Sequence, residues 1–99
     1  ADSSPASALP LRAGLICAHF DLAEPADLAM GADDLGWGLA WVNGFSLGRF
    51  RPRGPQRTLY VPRPATRAGR NTVVLFTQEP PRSRRLIFHP TLDLGPIDD

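Results

Sequence analysis

Proline and glycine interrupt this chain so often that no segment is left free for a long helix or a long strand. Eleven prolines and nine glycines are spread over 99 residues. Proline is excluded from helix interiors and from central strands, and glycine marks turns and bulges. The sequence therefore predicts short strands joined by many turns. It predicts them in a single domain, because a chain of this length leaves no room for a second one.

The residues between these breaks follow the periodicity of strands. Ile16, Ala18 and Phe20 alternate with more polar neighbours, which predicts a strand over 15–22 with one buried face. Shorter runs predict further strands at 26–30, 39–42, 45–50, 58–61, 71–76 and 86–89. Turn signals every 8 to 12 residues between such strands indicate a β-sandwich or a barrel.

Asn43-Gly44 lies between two of these runs and is the strongest local signal in the chain. Both residue types tolerate the positive φ of a type I′ turn, so the pair predicts a β-hairpin. Trp41 and Phe45 flank the turn. We expect them to pack against each other as a cross-strand pair.

Four motifs make the prediction more specific: GWG at 36–38, WVNGFSLGRF at 41–50, GPQRTLYVP at 54–62 and AGRNTVVLF at 68–76. Together they resemble the C-terminal galactose-binding-like domain of β-galactosidases in glycoside hydrolase family 35. The resemblance covers roughly residues 15 to 80, and it implies an all-β jelly-roll sandwich. It departs from the family pattern at Arg51, where a Trp is usual, and at Ala18, near which an Arg is usual.

The resemblance divides the chain into a linker or boundary segment at 1–10, the jelly-roll domain at 11–91 and a C-terminal tail at 92–99. It also implies that the catalytic residues lie elsewhere. Glycoside hydrolysis uses two carboxyl groups that flank the scissile bond, and in the family they belong to a TIM barrel, which takes about 250 residues. Glu24 and Glu79, the two glutamates here, both stand beside prolines. We therefore expect a non-catalytic domain that docks on the barrel of a parent β-galactosidase and stabilises it.

A carbohydrate-binding module that recognises galactosides is the alternative. Trp37, Trp41 and Phe45 are the side chains that could stack on the face of a sugar ring. The same aromatic residues could instead form the core of so small a domain. Trp37 is the best candidate for exposure, because it lies in a predicted loop.

Other classes of site receive little support. His19 and His89 have no partner at the spacing of zinc ligands, and Asp33-Asp34 suits solvated acids better than a calcium site. No cofactor motif is present, and no apolar run approaches the roughly 20 residues of a membrane span. Cys17 is the single cysteine, and we expect its thiol to be buried.

The arginines are concentrated in one part of the chain. Ten of the eleven lie between positions 49 and 85, where Glu79 is the single acid. We expect Arg49 to form a planar ion pair inside the domain. Arg51, Arg53 and Arg57 are expected to form an exposed basic ridge that docks on the barrel. A net charge of +1 and a pI near 8.3 are too mild for a nucleic-acid-binding protein.

Overall fold

The computed structural model describes residues 5–32, 35–50 and 58–90, with Pro90 described by its backbone alone. These residues form eight strands: β1 (Ala6–Ala8), β2 (Gly14–Leu22), β3 (Leu28–Gly31), β4 (Gly38–Val42), β5 (Phe45–Phe50), β6 (Thr58–Val61), β7 (Gly69–Thr77) and β8 (Arg85–Pro90). A short 3-10 helix, Arg63–Ala65, joins β6 to β7. Within these ranges no helix is long and apolar enough to span a membrane.

The strands form two antiparallel sheets of four strands each. The first sheet has the order β1-β8-β3-β6, and the second has the order β2-β7-β4-β5. Successive strands mostly belong to opposite sheets, which is the connectivity of a jelly roll. The prediction of an all-β jelly-roll sandwich is confirmed.

One apolar core fills the space between the sheets. Phe20 of β2 stacks on Phe88 of β8 with their ring centroids 3.9 Å apart, so this pair joins the two sheets directly. The inward positions of the other strands surround it, including Ile16, Met30, Leu75, Val42 and Val61, all of which are fully buried. Each such aliphatic side chain contributes about 1.5–3 kcal/mol through burial.

The first strand begins earlier than the sequence predicts. Ala6–Ala8 lies in the segment expected to be a linker, yet it pairs with β8. The hydroxyl of Ser7 donates a hydrogen bond of 2.6 Å to the carbonyl of His19, and Leu9 is buried in the core. A three-residue run of alanine and serine has too weak a pattern to predict a strand, so its position depends on pairing with distant residues.

The hairpin of β4 and β5 confirms the predicted turn but not the predicted aromatic pair. Asn43 has φ of 50° and Gly44 has φ of 83°, as a type I′ turn requires. This turn sets Val42 opposite Phe45 and Trp41 opposite Ser46. Trp41 and Phe45 are therefore not cross-strand partners, because a two-residue turn pairs the residues that directly flank it.

Candidate functional site

The outer surface of the second sheet is apolar over two adjacent rows. Leu15, Phe76, Leu39 and Arg49 stand opposite one another across all four of its strands, and the three apolar members are 62%, 45% and 38% exposed. The neighbouring row consists of Cys17, Val74, Trp41 and Ser46. We call the apolar members of these two rows the outer apolar face: Leu15, Cys17, Leu39, Trp41, Val74 and Phe76.

A β-bulge in β5 decides which residues reach this surface. Ala40 pairs with Gly48 and Trp41 pairs with Ser46, so Leu47 is the extra residue, and Gly48 takes a φ of 99°. The bulge reverses the alternation after Leu47. As a result the Arg49 side chain is exposed beside Leu39, whereas Phe50 is buried in the core.

The predicted internal ion pair of Arg49 is therefore wrong. The residue points away from the core because the bulge turns it outward, and its guanidinium is exposed. No ion pair involves it among the residues that the structure describes. Arg51, Arg53 and Arg57, predicted to form the basic ridge, lie outside the described residues, as do Asp33 and Asp34.

Arg49 instead lines a surface hollow of about 330 Å³ at one end of the outer apolar face, which we call the Trp37 hollow. Its lining consists of Trp37, Gly38, Leu39, Arg49, Phe76 and Gln78. The backbone N–H of Gln78 donates a 3.0 Å hydrogen bond to the carbonyl of Trp37, which ties the loop before β4 to the end of β7. An exposed indole, a guanidinium and an amide side chain are groups that can contact the ring face and the hydroxyls of a sugar.

The predicted aromatic site residues do not converge. Trp37 is 41% exposed and lines the hollow, as expected of a loop residue. Trp41 is half-buried on the outer apolar face, one row away from Leu39. Phe45 is 49% exposed beside the hairpin turn, on β5 at the edge of the sheet. Phe76 and Gln78 were not predicted from the sequence. They reach the hollow from β7 and from the residue that follows it, both distant in sequence from Trp37.

Cys17 also differs from its prediction. Its thiol is exposed, not buried. The strand period explains the difference, since Ile16 and Ala18 point into the core and the residue between them must point outward.

Two asparagine side chains join the hairpin to the loop before β7. The Nδ2 of Asn43 donates to the carbonyl of Ala65 and to the Oδ1 of Asn71, both at 2.8 Å. Asn71 is fully buried, and its Nδ2 donates to the carbonyls of Arg67 and Gly69. Both residues, which belong to the WVNGFSLGRF and AGRNTVVLF motifs, are bonded to protein groups and thus stabilise the fold.

A second polar cluster fixes the chain between β2 and β3. One oxygen of Asp27, Oδ1, accepts a 2.7 Å hydrogen bond from the Tyr60 hydroxyl and a 2.8 Å bond from the backbone N–H of Arg63. These two bonds, the hydroxyl first, lower the pKa of Asp27 from its ordinary value near 3.8. The same contact with the carboxylate raises the pKa of Tyr60 above 10.0.

The lowered pKa of Asp27 predicts a loss of stability in acid. A carboxyl group whose pKa is lower in the folded state stabilises the protein above its unfolded pKa, and this contribution disappears as the pH falls through the folded value. We expect the melting temperature to decrease as the pH is lowered past about 4. The decrease should be less steep in Asp27→Asn. Tyr60→Phe should flatten the profile in the same way, because it removes the main donor. Profiles of both variants parallel to that of the parent would contradict the assignment.

Metal ligands are not grouped in the parts of the chain that the structure describes: no three His, Cys, Asp or Glu side chains there lie together as a metal site would require. All buried side-chain nitrogen and oxygen atoms in those parts have a hydrogen-bond partner.

Comparison with known proteins agrees with the motifs. A family described as "Beta-galactosidase, galactose-binding domain" matches residues 16–71, which is more than half of the chain. The chain is 44% identical over 59 residues to Beta-galactosidase 17 of Arabidopsis thaliana, covering 59% of this chain and 8% of that protein. It is 49% identical over 66 residues to Beta-galactosidase 8 of Oryza sativa subsp. japonica, covering 61% of this chain and 10% of that protein.

A human relative, Beta-galactosidase-1-like protein 2, is 42% identical over 62 residues, which cover 61% of this chain and 10% of that protein. The chain thus spans about a tenth or less of the length of these curated relatives. The family match covers the strands from β2 to the start of β7 and includes both asparagines of the polar network. The chain belongs to the family of β-galactosidase galactose-binding domains.

Proposed function

We propose that this chain is a non-catalytic accessory domain of a β-galactosidase, and that it packs on the catalytic part of its parent polypeptide and stabilises it. The observation that carries the proposal is the family match over residues 16–71, together with relatives that are named β-galactosidases and contain the matched region as a small part of a much longer chain.

The environment of Asp27 is unsuited to a general acid. The general acid of a glycosidase needs a raised pKa so that it is protonated at working pH. Asp27 has a lowered pKa, since the Tyr60 hydroxyl and a backbone amide stabilise its charged form. The Trp37 hollow, on the second sheet, is lined by an arginine and an amide, which can bind a sugar.

The proposal predicts a division of labour that enzyme assays can measure. The purified 99-residue chain should not hydrolyse an aryl galactoside, whereas the full-length parent should. Deleting the domain from the parent should lower its melting temperature by several degrees. Enzyme-like hydrolysis by the isolated chain would contradict the proposal. So would a parent whose stability is unchanged by the deletion.

A carbohydrate-binding module is the second candidate, and the Trp37 hollow favours it. Aromatic rings there lie beside a guanidinium and an amide, on a surface that is open to solvent. Titration calorimetry of the same purified chain with galactose and galacto-oligosaccharides separates the two functions. Saturable binding that is millimolar or tighter, lost in Trp37→Ala and retained in Tyr60→Phe, would favour the module. Tyr60 is a suitable control because it is an exposed aromatic on the other sheet.

A further inference from the structure

The two outer surfaces of the sandwich differ in chemistry. On the first sheet the exposed side chains are mostly polar, and they include Tyr60, Arg85 and His89. On the second sheet two adjacent rows present the outer apolar face, with Arg49 and Ser46 at its edge, and the rows beyond it pair His19 with Thr72 and Asp21 with Arg70. Large contiguous apolar surfaces are rare on monomeric domains and mark sites of association. The second sheet is therefore the surface that a partner would cover.

We propose that the outer apolar face, with Arg49 at its rim, is the surface through which the domain packs on the remainder of its parent polypeptide. This inference rests on the proposed function and names the docking surface. The basic ridge predicted at Arg51, Arg53 and Arg57 stays a prediction, since those residues lie outside the described ones.

The length of the relatives indicates which partner covers the face. About nine-tenths of each plant relative lies outside the region matched to this chain, since the match covers 8% and 10% of their lengths. A partner on the same polypeptide is present at high effective concentration. A surface of modest intrinsic affinity is therefore sufficient to bind it. The described ends of the chain, Pro5 and Pro90, lie together at the first sheet, where the N–H of Phe88 donates to the carbonyl of Pro5.

The chemistry of the face favours a protein partner over a sugar. Its six members offer no charged side chain, and their side-chain hydrogen-bonding groups are the Trp41 indole N–H and the weakly donating Cys17 thiol. Sugar recognition needs several hydrogen-bonding groups, and at this face most of them belong to the Trp37 hollow at one end. A partner with an apolar patch and an acidic residue beside Arg49 would satisfy both parts of the surface.

Cys17 lies on this face and reports whether it is covered. In the full-length parent, alkylation of Cys17 by iodoacetamide is followed by mass spectrometry of its peptide, with the urea-denatured parent as the fully reactive reference. The matched control is His89→Cys, which places a thiol at an exposed strand position on the first sheet. We expect Cys17 to react at least tenfold more slowly in the native parent than in the denatured one. The thiol introduced at position 89 should be slowed far less.

The other outcomes separate this inference from the proposed function. Protection of the thiol at position 89 with free reaction of Cys17 would place docking on the first sheet, so the inference would fail and the proposed function would stand. Free reaction of both thiols would show no docking, and both would fail. Protection of Cys17 that is lost on dilution would mean a second copy on the face, which also overturns the inference.

If both thiols are protected, the variant Leu15→Glu distinguishes the remaining explanations. Leu15 is 62% exposed, so the added charge should leave the sandwich folded. The inference requires this variant to restore the reactivity of Cys17 to near that of the denatured parent. It fails if Cys17 stays protected.

Discussion

Replacing Gly38 by alanine is expected to destabilise the domain by about 3 kcal/mol or more, because there is no space for a single added carbon at this position. An ideal Cβ there would overlap the carbonyl oxygen of Phe76 and would lie 2.6 Å from the ring Cζ of Phe50. Neither the Phe76 backbone nor the fully buried Phe50 ring can move aside without a large cost in free energy. The free energy of unfolding in urea measures the loss, which is a large share of the stability of a small domain.

Gly31→Ala is the matched control, because Gly31 also stands at the end of a strand. A Cβ at Gly31 would lie 3.5 Å from the carbonyl oxygen of Ile87, which is an ordinary contact. We expect this variant to change stability by less than about 1 kcal/mol. Equal urea midpoints for Gly38→Ala and Gly31→Ala would show that β4 does not approach β7 as closely as described.

The sequence was sufficient for the features that depend on local backbone chemistry. The Asn43-Gly44 turn follows from the positive φ that both residues tolerate, and β2 follows from its period of two. Seven of the eight strands have such a signal. The first strand, Ala6–Ala8, lacks one, since its pairing with β8 joins residues about 80 positions apart.

The candidate site was much less predictable, because a single bulge controls it. Regular alternation from Phe45 would send Arg49 inward, and no sequence pattern specified that Leu47 would be the extra residue. Gly48 was the available signal, since glycine with a positive φ is typical of bulges. The grouping of Trp37 with Phe76 and Gln78 depends on the pairing of β4 with β7. This pairing brings together residues that are nearly 40 positions apart in the sequence.

The same pairing explains how the asparagines of two separate motifs come to stabilise one end of the sheet. Val-Asn-Gly and Gly-x-Asn are distant in sequence, but β4 and β7 are neighbours, so Asn43 and Asn71 meet at the end of the sheet. The residue types identified Asn43 and Asn71 as turn-forming positions. Their contact was accessible only from the topology.

Asn71→Ala is expected to cost about 2–4 kcal/mol, because it removes four hydrogen bonds made by a fully buried side chain, at about 0.5–1.5 kcal/mol each. The Oδ1 of Asn71 accepts hydrogen bonds from the backbone N–H of Arg67 and from the amide of Asn43. Its Nδ2 donates to the carbonyls of Arg67 and Gly69. The loop before β7 and the β4–β5 hairpin should therefore loosen together, which urea unfolding and amide hydrogen exchange both measure.

Asn71→Asp tests the donors separately, since it preserves size and shape. The two bonds accepted by Oδ1 can persist, but a carboxylate oxygen would face the carbonyls of Arg67 and Gly69 in place of the N–H groups. At pH 7 we expect a loss close to that of Asn71→Ala. Gln78→Ala, at an exposed position just beyond β7, should stay within about 0.5 kcal/mol of the parent. An Asn71→Asp protein as stable as the parent would show that this amide does not hold the loop, and the network would then be no basis for calling the two motifs structural.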